Sequence, residues 1–363
     1  MMRNTACNAL WGIVSILWLL TVSCTGRQAV ESHGASGDTI PFRHATLLTA
    51  VRYPSHVHVE IKNPWRKGEV LHSYDIRQPF RRAVITTTSH SQLLVSLGQT
   101  AVIKGVCDAR YMRIDAVQRG LQQGTITDCG NAMQPLQERI IALHADAVLV
   151  SPFENNGGYG SLEALGIPLI EAADYMEPTP LARAEWMRFY GLLFGCEHEA
   201  DSLFLLVEQR YRALADSAAV CVSRPTVFSE RQTGNVWYVP GGESCMARLM
   251  ADAAGQYVWH DDAHSGSLPL SFEEVLTKAR KADFWLLTNS THVPLTTSLL
   301  VAEQPGYAQF EAFRKKQVFV CETNATRYFE TIPFRPDLLL HDIIQVLHPG
   351  LLQGTLQFYH RLP

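Results

Sequence analysis

ADAVLVSPFENNGGYGSLEALGIPLI, residues 145–170, is the stretch from which the rest of the chain is read. Residues 147–150 form a short, unbroken apolar run, the length and composition of a strand buried on both faces. A polar, glycine-rich loop over 152–158 follows. Residues 162–165 read as a short helix that Gly166 stops, and Ile167-Pro168-Leu169-Ile170 is the next strand. Strand, loop, helix and strand in quick succession are the grammar of a parallel α/β sheet.

The same rhythm extends in both directions. Upstream lie a strand over 83–87, a helix over 89–97 ending at Gly98, a strand over 101–106 and a helix over 136–143. Earlier still, Val57, Val59 and Ile61 alternate with His58, Glu60 and Lys62, the period of a half-buried strand, closed by Asn63-Pro64-Trp65. Downstream, Pro178 and Pro180 open a helical region reaching about residue 219, which Gly191 and Gly195 divide. In its second part Leu203, Phe204, Val207, Tyr211 and Leu214 recur at helical steps on one apolar face. The alternation then restarts, with strands over 225–229, 282–288 and 318–321 and helices over 244–254, 272–278, 310–313 and 336–347. The expected fold class is α/β: two lobes with parallel-rich sheets, joined by a single long rigid helix, with a ligand cleft between them. The expected segments are a signal peptide over 1–23, a lipidated tether over 24–44, an N-terminal lobe over 45–177, a helical connector over 178–222 and a C-terminal lobe over 223–363.

The amino-terminal segment sets the compartment. Arg3 precedes an apolar run over 10–20 that is too short to span a bilayer comfortably and suits a cleaved export signal. Ser23-Cys24 follows, so Cys24 resembles the lipidated cysteine of a lipobox, with Thr21 where leucine is usual. Export excludes most cytosolic, ATP-driven enzymes, and the expected location is the periplasm, on a lipid anchor. Removing Arg3 with the signal takes 31 basic residues to 30 against 35 acidic ones, and the net charge from −4 to −5. No polybasic run invites nucleic acid, and no second long apolar segment adds a membrane contact. Six cysteines remain beyond Cys7 and Cys24, without a CxxC or a zinc-like spacing. Buried thiols are the preferred reading. Cys107 and Cys129, which fall in one lobe, are the pair to check.

At this point the motifs resemble a known family. Thr86-Thr87-Thr88-Ser89-His90 with the run to Gly98, Ile103-Lys104-Gly105-Val106, and Ala145-Asp146-Ala147-Val148-Leu149-Val150 are similar to successive elements of the periplasmic metal-chelate-binding proteins of ABC importers. Those proteins carry cobalamin, haem and ferric siderophores. Leu162-Glu163-Ala164-Leu165-Gly166-Ile167-Pro168 resembles the family's LxxLGIP turn, and Lys281-Ala282-Asp283-Phe284-Trp285 its second-lobe strand entry. Phe313-Arg314 before Val318-Phe319-Val320 resembles a late family element. Asn63-Pro64-Trp65, Ala184-Glu185-Trp186-Met187, Val236-Trp237-Tyr238-Val239-Pro240-Gly241-Gly242 and His348-Pro349 are similar to the Bacteroidetes-type lipoprotein versions. The resemblance implies a rigid two-lobed monomer that hands a metal chelate to a permease dimer with its ATPase, with no catalytic cofactor and no reaction of its own.

Ligands of open α/β sheets bind beyond the carboxyl ends of the strands, and a bulky planar chelate asks for aromatic walls and a few donors. In the first lobe this selects Thr88, Ser89, His90, Arg110, Tyr111, Phe153 and Asn155. In the second it selects Arg231, Trp237, Tyr238, Asn289, His292, Arg327 and Tyr328. The resemblance singles out Tyr111, where the family often has an aromatic. It also implies one acidic docking residue per lobe, for which Glu154 and Glu243 are the candidates.

Three rival readings compete, of which a surface-exposed binder handing cargo to an outer-membrane receptor is disfavoured because Thr25-Gly26-Arg27-Gln28 lacks an acidic run. A bare transition-metal binder would use His260-Asp261-Asp262-Ala263-His264, although consecutive residues rarely face one ion and a solvated loop is preferred. His264 is also a candidate axial ligand to a haem or corrin centre. An exported two-lobed enzyme is the remaining rival. The chain carries no GxSxG, Walker loop or GxGxxG, and His198-Glu199 lacks the second histidine of a zinc-protease helix.

Overall fold

The computed structural model describes residues 37–154 and 158–363. The expected signal peptide, Cys24 and Asn155 lie outside the described residues.

Four antiparallel strands come first, β1 (Asp38–Ile40), β2 (Leu48–Arg52), β3 (Val57–Lys62) and β4 (Val70–Ile76), paired in that order. Val57, Val59 and Ile61 turn inward from β3 as their alternation demands, so one face of this sheet joins the first lobe's core. A buried carboxylate clamp holds the connection between β1 and β2. Glu185 accepts from the amides of Arg43, His44 and Ala45 at 2.7–2.9 Å. Glu177 accepts from the amides of Thr46 and Leu47 and from Trp186 Nε1.

The first parallel sheet contains β5 (Ala83–Ile85), β6 (Ile103–Val106) and β7 (Thr127–Asp128). A hairpin of β8 (Gly130–Asn131) and β9 (Gln134–Pro135) follows, and β10 (Ala147–Val150) and β11 (Leu169–Glu171) complete the sheet. Its order is β11-β10-β5-β6-β7, every neighbour parallel. All four residues of β10 are buried, as a strand covered on both faces requires. Helices α1 (Thr88–Ser96), α2 (Asp115–Gln122) and α3 (Gln137–Ala142) connect the strands. The strand read as 83–87 stops at Ile85, because the Thr87 side chain accepts from the His90 amide and starts α1. The turn read as a helix over 162–165 is a 3-10 segment, Gly160–Leu165, ended by left-handed Gly166.

Two helices link the lobes, α4 (Pro180–Phe194) and α5 (Glu197–Ala219). They part at Gly195, whose φ of +67° caps α4. Gly191 divides nothing. A Cβ there would meet Ala200 Cβ at 2.8 Å and Glu197 Cα at 3.0 Å, so its role is to let α5 pack closely on α4. On α5, Ala200, Phe204 and Val207 belong to the first hydrophobic core, and Tyr211 and Ala218 to the second. One 23-residue helix, about 34 Å long, therefore threads both cores.

The second lobe begins with β12 (Thr226–Ser229), β13 (Gln232–Thr233) and β14 (Val236–Pro240), then α6 (Cys245–Asp252) and β15 (Gln256–Tyr257). It continues through β16 (Ser267–Leu270), α7 (Phe272–Ala279), β17 (Phe284–Asn289), α8 (Thr297–Glu303) and α9 (Glu311–Arg314). The last elements are β18 (Val318–Glu322), α10 (Thr323–Thr326), α11 (Tyr328–Thr331), α12 (Pro336–Leu347) and β19 (Tyr359–Arg361). The main sheet runs β15-β12-β17-β18-β19, parallel except for β19, and β13-β14-β16 form a small antiparallel sheet beside it. Among the described residues no helix is long and apolar enough to cross a membrane.

Candidate functional site

Strand order locates the site. In the first sheet β5 and β10 are neighbours, and the chain winds outward from them in opposite directions. In the second sheet β12 and β17 play the same part. At such switch points the flanking loops diverge and leave a crevice outside the carboxyl ends of the strands. The first crevice is framed by Thr86–Thr87 after β5 and by Ser151–Phe153 after β10; the second by Glu230–Arg231 after β12 and by the residues after Asn289.

The two carboxyl edges face each other. Arg327, beyond β18, donates to Asp115 Oδ1, beyond β6, at 3.0 Å. Glu330 Oε1 accepts from Thr88 Oγ1 at 3.3 Å and from the Arg113 amide at 3.2 Å. The backbone is left-handed at three positions on these edges, Asp108, Glu230 and Arg327. Such φ values in non-glycine residues cost about 1–3 kcal/mol each and cluster where function fixes the backbone.

A cavity of about 440 Å³ opens at the first switch point, lined by Thr86, Thr87, Met133, Phe153, Tyr159 and Tyr175 among others. Its rim is unusually apolar for surface: Met133 is 68% exposed and Phe153 42%. Tyr175 donates to the Pro152 carbonyl at 2.7 Å and Tyr159 to Glu171 Oε1 at 2.8 Å, so both rings are held by their hydroxyls. Fixed aromatic faces with water-exposed edges suit a large flat ligand. A larger cavity of about 630 Å³ lies beside α6, between Arg224, Arg248 and Tyr257, and includes none of the crevice residues. A third, of about 370 Å³, lies between the lobes and is lined by Thr88, Ser89, Arg183, Tyr328 and Phe329.

The described residues expected from sequence divide into four groups. Phe153 lines the first crevice, and Thr88 and Ser89 are half-buried in the inter-lobe cavity. Arg110 and Tyr111 sit on the turn after β6, the guanidinium 4.5 Å from the centroid of a ring that is 60% exposed. Tyr238 and His292 are exposed. Arg231 and Arg327 stand on the second edge but are already engaged. Arg231 Nη2 donates to Asn289 Oδ1 at 3.2 Å and Nη1 lies 3.2 Å from Glu303; Arg327 holds Asp115.

Four of the expected residues are buried. His90 is core, its Nε2 2.8 Å from Asp174 Oδ1 and its ring against Tyr190 and Phe334. Trp237 is fully buried among Phe228, Trp285, Tyr307 and Phe310, because alternation along β14 sends it inward and Tyr238 outward. Asn289 is buried and spends its amide on Glu322 Oε2 and the Val293 carbonyl. Tyr328 is buried and reaches open space only at the inter-lobe cavity, while its neighbour Phe329 is 52% exposed. Met133, Tyr159, Tyr175 and Phe329 escaped the sequence reading. The first sits on a hairpin after β7, a two-residue strand too short to leave a periodic signal.

The histidine-aspartate run disperses its side chains. His260 Nδ1 is 2.8 Å from the Tyr257 carbonyl, Asp261 meets Lys278 Nζ at 2.9 Å, and His264 Nδ1 is 3.1 Å from Asp262. Among the described residues no group of three or more histidine, cysteine or acidic side chains could hold a metal ion. Glu154 and Glu243 are both exposed, and the Glu243 amide donates to the His264 carbonyl at 3.0 Å.

Behind the first crevice lies a buried charge group. Burial alone would raise the Asp174 carboxyl, but His90 and Arg183 beside it hold it below its ordinary value. At the second switch point burial pushes the Glu230 carboxyl up, against the hydrogen bond it accepts from Thr288 Oγ1 at 2.6 Å.

Two α/β lobes, cores threaded by one helix and crevices facing each other define a two-lobed ligand-binding protein. The chain belongs to the Periplasmic binding protein family, whose profile matches residues 84–325. It is 25% identical over 301 residues to the uncharacterized lipoprotein MJ0878 of Methanocaldococcus jannaschii, covering 80% of this chain and 70% of that one. MJ0872 of the same organism is 25% identical over 248 residues, covering 66% and 62%. Among solved structures, a periplasmic haem-binding protein from Pseudomonas aeruginosa matches with a TM-score of 0.63 at 18% identity, over 78% of this chain and 98% of that one. An ABC-type Fe3+-hydroxamate transport protein from Saccharomonospora viridis matches with a TM-score of 0.61 at 20% identity, over 80% and 98%.

Proposed function

We propose that this chain is the substrate-binding lipoprotein of an ABC importer. In this reading it captures a metal chelate, whether cobalamin or another corrinoid, haem or a ferric siderophore, between its lobes and delivers it to a permease dimer with its ATPase. The observation that carries the reading is the aromatic crevice at the first switch point, on a carboxyl edge that meets the second lobe's through Arg327 and Asp115. Anchoring through Cys24 on the periplasmic side, action as a monomer, and docking through Glu154 and Glu243 complete the proposal. The dispersed side chains of His260 to His264 weigh against a bare-ion binder.

The test is calorimetric titration of residues 25–363 with cyanocobalamin, haemin and a panel of ferric siderophores. One-to-one binding of one member at submicromolar concentration names the cargo. Failure of every member, with the protein folded, overturns the chelate reading.

A further inference from the structure

Cys107 and Cys129 stand one residue beyond the last paired positions of neighbouring parallel strands. The register of β6 on β7 pairs Gly105 with Thr127 and Val106 with Asp128, so the next step brings the two cysteines side by side. Their side chains also share a face. A Cβ on Gly105 would lie 2.7 Å from Cys129 Sγ, and Cys107 projects to the same side as Gly105 by alternation. Both thiols are reduced in this structure and fully buried in one small core with Val84, Ile140 and Val148.

We propose that Cys107 and Cys129 form a disulfide that ties the turn after β6 to the hairpin that carries Met133 to the ligand crevice. This rests on the reading that the chain works outside the cytoplasm, where disulfides persist. Neighbouring parallel strands lie about 4.8 Å apart, within the Cα separations that a disulfide accepts.

What the bond would tie together matters for binding. Cys107 leads into Asp108, Arg110 and Tyr111; Cys129 leads into the hairpin that carries Met133 to the crevice. The strands already meet here through the Asp108 amide, which donates to the Gly130 carbonyl at 2.7 Å, and Ala132, whose amide donates to Asp108 Oδ2 at 3.2 Å. A covalent link beneath these bonds fixes Tyr111 and Met133 relative to each other and lowers the ordering required of them when cargo arrives.

The chemistry is thiol–disulfide exchange with an exported dithiol oxidase in its disulfide form, or with a low-molecular-weight disulfide. One cysteine thiolate attacks the oxidant's disulfide and displaces one thiolate from it. The second cysteine then attacks the mixed disulfide and displaces the other, so the protein loses two hydrogens and the oxidant gains them. In the folded state burial pushes the Cys107 thiol up to about 12 and the Cys129 thiol up to about 11, which suppresses the attacking thiolate. The bond therefore forms while the lobe is folding.

The test uses the full chain, alkylated during denaturation without reduction and then digested with trypsin. Protein is taken both from its native extracytoplasmic location and from refolding in a buffer of reduced and oxidised glutathione. The expected result in both samples is a peptide pair joined through Cys107 and Cys129 that separates on reduction, and a melting temperature that reductant lowers in the wild type but not in Cys107→Ala. If refolding in glutathione leaves both cysteines fully alkylated, or joins either to another partner, the inference is overturned whatever the compartment. If refolded protein carries the bond but native protein has both thiols free, the inference falls through its premise about compartment, while the titration with chelates decides the binding function separately.

Discussion

Arg327 of the second lobe donates from Nη2 to Asp115 Oδ1 of the first across 3.0 Å. Arg327 holds a left-handed backbone, φ +54°, between α10 and α11, which sets the direction in which its side chain leaves the lobe. Three residues later Glu330 is buried and accepts from Thr88 and the Arg113 amide. The ion pair is half exposed and the acceptor is not, so the two cross-lobe contacts differ in energy although they are neighbours.

Removing each partner separates them. Arg327→Ala changes stability by less than about 1 kcal/mol, as exposed pairs do. Glu330→Ala strands the Arg113 amide and costs about 1–3 kcal/mol. Urea denaturation curves of the two variants check the order, and a larger loss for Arg327→Ala would reverse it.

The aromatic crevice predicts where affinity resides. Phe153→Ala in the crevice and Tyr111→Ala on the turn after β6 each remove a large exposed ring, worth about 1.5–3 kcal/mol when a ligand buries it. Each weakens binding of the cargo roughly tenfold or more, with the fold unchanged by circular dichroism. Equal affinity in both variants would place the cargo elsewhere.

Trp237→Ala has the opposite signature. Its indole is enclosed by five aromatic side chains and donates to the Ser229 carbonyl at 3.2 Å. The substitution lowers stability by about 3–5 kcal/mol. Affinity measured on the fraction that remains folded stays near the wild-type value.

Asp174 makes stability depend on acid. Burial opposes its charge, but His90 and Arg183 hold the folded value below the ordinary 3.8. The folded state therefore binds fewer protons than the unfolded one, and the group contributes stability above 3.8 that is lost as pH falls through the lower folded value. Asp174→Asn is less stable than the wild type by about 3–5 kcal/mol at neutral pH, and its melting temperature falls less between pH 4 and 2. Parallel melting-temperature profiles for the two proteins would show that another group dominates the acid limb.

Gly191→Leu tests the close approach of α4 to α5. Its side chain meets Ala200 and the backbone of Glu197, and such overpacking costs about 1–3 kcal/mol. The measurement is a thermal melt, and an unchanged melting temperature would mean that α5 shifts without penalty.

Long, buried strands and capped helices were legible in the chain because their periodicity is local. Residues 147–150 and the face of Phe204, Val207 and Tyr211 are where sequence reading places them. Strand order was not legible, since nothing in β5 names β10 as its neighbour, and the switch points follow from that order alone. The N-terminal sheet was half seen: only β3 alternates strictly, while β4 has exposed residues on both faces along most of its length. For the site, strand ends pointed to the right loops but could not say which way each side chain turns. Trp237 and Tyr238 are consecutive and point oppositely, and His90 lies one turn into a helix whose inner face is core.

The buried stripe of α5 makes the two lobes one thermodynamic body. Loss of either core removes packing from the same helix, so a calorimeter would register one melting event and the empty and filled protein would share nearly one outline. On the proposed function, a transporter that meets such a carrier gains little information from its silhouette. Whatever distinguishes a loaded visit from an idle one must be sensed at the rim, in the positions of rings and loops around the crevice.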